Sequence, residues 1–218
     1  MAYTWWDMET TEPRLSRTDK LQRLFELAAG QSGYFTALQA RELGYSARSL
    51  VHHVTAGHVE RMGRGFYRLV GVPVTPHEDI VAAWLGLAAH QGVVSHDTAL
   101  ALYELAPSRS HEIHITLPRE RRPRTPRAST TVKLHTTTVP LRREEIASRF
   151  GVRVTSPART IADVADLGTD PSVVIEATSR ALATGLVSTP ELRTGVERRS
   201  LRVRRLVERA IEEAGRRA

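Results

Sequence analysis

Apolar and polar positions alternate with two different periods along the 218 residues, and the switches between them mark the elements. Leu21, Leu24, Phe25 and Ala28 recur at helical spacing, which predicts a helix over Arg17–Ala29. Ser16 and Asp19 have the spacing of a capping box at its start, and Gly30 stops it. Thr36 and Gln39 repeat that spacing and open a second helix, expected to bury Ala37, Leu38, Ala40 and Leu43, with Gly44 as its left-handed end. Ser46 caps a third helix, in which Ala47, Leu50, Val51 and Val54 fall at i, i+3, i+4, i+7 as the expected buried stripe. Its opposite face carries Arg48, Ser49, His52, His53 and Thr55. After Gly57 the period becomes that of extended chain. Val59 and Arg61 lead into Gly63-Arg64-Gly65, and Phe66-Tyr67-Arg68-Leu69-Val70 returns, with Tyr67 and Leu69 inward. Helix, turn, helix, hairpin is the order of a winged helix-turn-helix.

Further on, four dipeptides place a capping side chain directly before a proline at the first helical position: Thr75-Pro76, Ser156-Pro157, Asp170-Pro171 and Thr189-Pro190. The first, with Glu78, opens a helix carrying Ile80, Val81, Trp84, Leu85 and Ala88; a shorter helix from Ser95 buries Ala99, Leu102 and Tyr103. His111–Pro118 and Thr131–Thr137 alternate as strands, and a third strand at Val152–Thr155 precedes a helix over Pro157–Leu167. Helices near Pro171–Thr184, Pro190–Arg198 and Arg202–Gly215 close the chain. The expected fold is α+β: a flexible segment over residues 1–16, a winged helix-turn-helix over 17–72, and over 73–218 a mixed α+β domain with a small sheet and C-terminal helices.

Composition sharpens this. The net charge is +7, from 31 basic and 24 acidic residues, and suits an anionic partner. Only Lys20 and Lys133 are lysines, and a GC-rich genome also inflates arginine, so the distribution says more than the sum. Arg109–Arg143 holds nine basic and two acidic residues, and Arg193–Ala218 holds nine and four. The absence of cysteine excludes disulfides, thiolate zinc sites and cysteine nucleophiles. MAYTWWDMETTEPR lacks the basic and apolar regions of a signal peptide, and no run of about 18 apolar residues occurs, so a cytoplasmic protein is expected.

The third helix is the natural reader of a DNA major groove: Ser46, Arg48, Ser49, His52 and His53 offer hydrogen bonds to bases and phosphates, and no carboxylate on that face repels the backbone. Arg61, Arg64 and Arg68 on the hairpin are placed for phosphates, and Arg119, Arg121, Arg122, Arg124 and Arg127 in a Pro/Arg-rich loop form a secondary basic contact. The competing use of such a module is protein binding. Catalytic constellations are poor. Ser95-His96-Asp97 has the letters of a hydrolase triad, but consecutive residues are not expected to converge on one proton path. His114 and His135 face each other across strands as a pair without a carboxylate, His52 and His53 diverge by about 100°, and Asp163 with Asp166 reads as a solvated or capping face. No phosphate-cradling glycine loop is present. The expectation is therefore no catalytic residue, no metal and no cofactor.

Several segments together resemble the AbiEi family of antitoxins, especially its actinobacterial members. They are Gly33-Tyr34-Phe35-Thr36, Gly44-Tyr45-Ser46, Arg64-Gly65-Phe66-Tyr67-Arg68-Leu69, Val94-Ser95-His96-Asp97-Thr98-Ala99-Leu100, Ile113-His114-Ile115-Thr116-Leu117-Pro118 and Val154–Asp163, and the similarity runs from about Arg17 onward. The resemblance implies an antitoxin of a type IV toxin–antitoxin system, partnered by a nucleotidyltransferase-like toxin encoded alongside and by promoter DNA, where the winged helix represses the shared operon. Two other functions stay open at this point: a winged-helix regulator without a toxin, whose C-terminal domain senses a ligand or dimerises, and a kinase-like enzyme that modifies the toxin.

Overall fold

The computed structural model describes residues 16–73, 75–87, 91–107, 111–122 and 132–216. The chain divides into two compact units, the first ending at Val72 and the second beginning at Pro73. Of the flexible segment expected over 1–16, all but Ser16 lies outside the described residues, as does Ala88.

In the first unit, α1 (Arg17–Ala29) begins where the Ser16 hydroxyl accepts the Asp19 N–H and the Asp19 carboxylate accepts the Ser16 N–H. β1 (Tyr34–Thr36) runs directly into α2 (Ala37–Glu42), whose start is closed by the Thr36–Gln39 capping box. Gly44, at φ 83°, turns the chain toward α3 (Ala47–Thr55), a backbone region that side chains with a Cβ rarely adopt. β2 (Val59–Gly63) and β3 (Phe66–Leu69) form the hairpin, and β1 pairs with β3 on the other side, giving an antiparallel sheet of order β1-β3-β2. Phe35 is fully buried at the centre among Leu24, Ala28, Ala40, Leu50, Val59 and Leu69, and stacks on Tyr67 across the β1–β3 pair with ring centroids 5.6 Å apart.

Two apolar residues expected inside, Leu38 and Val51, are exposed, as are Leu21 and Phe25 of the helical repeat in α1. Short helices around so small a core each bury one narrow stripe, and the neighbouring apolar positions are left outside. Thus α1 buries Leu24 and Ala28, α2 buries Ala40, and α3 buries Leu50.

The second unit is built on a five-stranded sheet of order β6-β5-β4-β8-β7. Its elements are α4 (Glu78–Gly86), β4 (Val93–Val94), α5 (His96–Leu102), β5 (Ile113–Pro118), β6 (Val132–Thr137), β7 (Ile146–Arg149), β8 (Val152–Thr155), α6 (Pro157–Asp166), α7 (Pro171–Ala183), α8 (Thr189–Val196) and α9 (Leu201–Gly215). The sheet is mixed: β4 runs parallel to β8 and β5 parallel to β6, while β4–β5 and β7–β8 are antiparallel. β5 is buried on both faces, so Ile113, Ile115 and Leu117 share the interior with His114 and Thr116. No helix among the described residues is long and apolar enough to cross a membrane.

Ser156 and Asp170 cap α6 and α7 as their spacing requires. The other two proline signals are displaced. α4 starts two residues after Pro76, at Glu78, with His77 at its cap, and α8 is capped by Ser188, whose box with Glu191 puts Thr189 and Pro190 inside the first turn. Proline tolerates that turn because the N–H it lacks would have no partner there anyway.

One expectation about charge fails in this unit, and of Ser95-His96-Asp97 only the first two come together. Asp163 is buried and receives both Arg159 and Arg199, so it is neither solvated nor a cap. Ser95 and His96 do meet, His96 Nδ1 lying 2.9 Å from Ser95 Oγ, because His96 takes the left-handed conformation at φ 53°. Ser95 is fully buried, and its hydroxyl also accepts from Thr116 Oγ1 at 2.8 Å.

Candidate nucleic-acid interface

The orientation of α3 follows from its two ends. Ser46, extended at φ −81° and ψ 162°, accepts the Ser49 N–H at 3.1 Å, and Tyr45 just before it is buried in the core. With Tyr45 and Leu50 both anchored inward, the 100° step per residue turns Arg48, Val51, His52 and Thr55 outward. These four stand at i, i+3, i+4 and i+7 and form one exposed stripe without a carboxylate. Val51, at 63 % exposure, sits in the middle of it.

The remaining side chains expected to read DNA are distributed less uniformly. Ser46 is exposed and occupied as the helix cap. Ser49 and His53 are half-buried and line a groove of about 670 Å³ with Lys20, Tyr45, His52 and His58. There His53 lies edge-on to Tyr45, 5.7 Å between ring centroids. The exposed stripe is thus rotated from the expected face: it gains Val51, while Ser49 and His53 turn to the groove.

On the wing, Arg64 and Gly65 form the two-residue loop between β2 and β3, with Gly65 at φ 72° permitting the tight return and Arg64 exposed at the tip. Arg61 is exposed and donates its Nε–H to the Gly63 carbonyl at 3.3 Å, which lays it along the hairpin. Arg68 is turned into the unit instead. It donates to the Val72 carbonyl at 2.9 Å and lies 5.7 Å from the centre of the Tyr34 ring, so it braces the sheet and is not presented to a phosphate. Arg119, Arg121 and Arg122 are exposed around a single 3₁₀ turn after β5, and Arg124 and Arg127 lie outside the described residues.

The composition of α3 revealed the polar members of the stripe. Val51 was missed because its spacing from Leu50 and Val54 is that of a core position, and only the fold shows which way the helix rolls.

Three comparisons bear on this geometry. Residues 22–70 match a family model described as transcriptional regulator, AbiEi antitoxin. No curated protein matches the chain in sequence. Among solved structures, the crystal structure of the Rv2827c protein from Mycobacterium tuberculosis is similar in fold, with a TM-score of 0.57 and 13 % identity, over 89 % of this chain and 76 % of that one. The family match spans α1 through the wing, the segment whose helices and hairpin have just been described. Residues 22–70 are thus similar to the transcriptional regulators of the AbiEi antitoxin family, and the likeness to the solved structure is one of fold.

Proposed function

We propose that this protein is the antitoxin of a toxin–antitoxin operon: it represses the operon by laying α3 in the major groove of promoter DNA, and it neutralises a nucleotidyltransferase-like toxin encoded beside it. The observation that carries the DNA reading is the exposed stripe Arg48–Val51–His52–Thr55, free of carboxylates, in a segment that matches a regulator family. Each member has a use there. Arginine pairs with guanine edges, histidine and threonine donate to bases or phosphates, and an exposed valine packs on a thymine methyl. Arg64 at the wing tip reaches a flanking phosphate or the minor groove.

The toxin reading is supported by the family match, and the protein acts on the toxin by binding, without chemistry. Co-expression with the neighbouring gene tests it. Growth is expected to be rescued by the full chain, and a toxin recovered from the rescued cells is expected to have unchanged mass. Failure to rescue removes the antitoxin reading, and an added mass on the toxin replaces binding by modification.

A further inference from the structure

Three histidines that are far apart in the sequence meet in the second unit. His96 opens α5, His114 lies in β5 and His135 in β6, where Thr116 pairs with His135 across the parallel strands. One ring nitrogen from each lies within 4.8 Å of the other two, and His135 Nε2 stands 3.4 Å from His114 Nδ1. Two imidazole nitrogens bound to one tetrahedral zinc ion, at about 2.0–2.1 Å each, are held roughly 3.4 Å apart.

The cluster is costly to maintain as plain core. His114 is only 2 % exposed, yet its Nε2 has no hydrogen-bond partner, and neither does the buried Asp97 Oδ1. His96 holds a left-handed backbone that glycine favours, fixed by the Ser95 contact and by the Ser95 N–H bond to the His114 carbonyl. The nearby guanidiniums do not oppose a cation outright, since Arg159 is paired with Asp163 and Glu145, and Arg199 with Asp163 and Asp166.

The geometry points to a metal site: His96, His114 and His135 bind one divalent ion of the imidazole-preferring class, zinc foremost, as three protein ligands. A fourth position then opens toward a polar cavity of about 250 Å³ lined by His96, His135, Thr116, Thr136, Thr137 and Arg159. Among the described residues no carboxylate joins the three rings, and Asp163 and Asp166 on the cavity wall are paired with Arg159 and Arg199, so the fourth ligand is exchangeable, water or an anion admitted through that cavity.

The test uses the full chain, stripped with a chelator and titrated with Zn²⁺ by calorimetry, then with Co²⁺ to read coordination geometry from its visible spectrum. One equivalent of Zn²⁺ is expected to bind and to raise the thermal midpoint. His135→Gln, at a half-exposed position, and His96→Gln are each expected to weaken Zn²⁺ binding by at least about 100-fold, with circular dichroism confirming the fold. If His96→Gln does not fold, His135→Gln decides alone. A control carrying His52→Gln, His53→Gln and His58→Gln in the first unit is expected to bind as the parent does. Absence of stoichiometric binding, binding unaffected by His135→Gln, or binding abolished by the first-unit control each overturns the site.

Discussion

Asp163→Ala is expected to destabilise the second unit by about 3–5 kcal/mol, the cost of leaving buried charge without its partner. Asp163 is 4 % exposed and receives the Arg159 Nε–H on both oxygens, at 2.8 and 2.9 Å, and Arg199 on one. Arg159 continues to Glu145 at 3.1 Å and Arg199 to Asp166 at 2.8 Å, so one carboxylate in α6 ties the entry to β7 and the α8–α9 junction to the same point. Burial drives the Asp163 carboxyl above its ordinary range, and the two guanidiniums pull against that shift. Removing the carboxylate strands two guanidiniums that are only 14 % and 21 % exposed. Denaturant unfolding of the full chain measures the loss. The double substitution Asp163→Leu with Arg159→Met is expected to recover much of it, because exchanging a buried pair for packed apolar groups is often neutral. A single-variant loss below about 1 kcal/mol would show that the network is a surface ornament.

Phe35→Ala is the corresponding test of the first unit, with an expected loss of about 3–5 kcal/mol. Phe35 has no exposed surface, stacks on Tyr67 of the wing strand and belongs to one buried cluster with Leu24, Ala40 and Leu50. A core this small has little stability in reserve, so the substitution is expected to unfold the unit and abolish DNA binding while the second unit keeps its own transition. Leu38→Ala serves as comparison. Leu38 is 52 % exposed, and its loss is expected to stay within about 0.5 kcal/mol. Equal effects from the two variants would mean that the core has been placed wrongly.

These two residues also mark what the sequence could and could not reveal. Helix starts that depend on neighbours three residues apart were legible, as at Ser16–Asp19 and Thr36–Gln39, because a capping box is a local bond. The start of α8 was misplaced by one residue because Ser188–Glu191 outcompetes Thr189–Pro190 for the same turn. β1, β4 and β7 carry no legible alternation: β1 and β4 span three and two residues, and β7 sets Ile146 and Ala147 side by side. Which side of α3 faces out was half legible: the polar residues named themselves, but Val51 and His53 exchange roles once Tyr45 and Leu50 fix the roll of the helix. Asp163 and the three histidines depend on partners up to 39 residues away, His96 to His135, and no periodicity records such a meeting.

The DNA reading stands on the outward stripe of α3, and fluorescence anisotropy with a fragment of the upstream promoter region tests it directly. The full chain is expected to bind this DNA more tightly than a scrambled duplex, with affinity falling steeply as salt rises. Arg48→Ala is expected to cost about 1–3 kcal/mol and to narrow the gap between the two duplexes, while Arg64→Ala weakens both and lowers the salt slope by about one. Binding that is unchanged in Arg48→Ala, or that never distinguishes the two duplexes, contradicts the assignment of α3 as the reader.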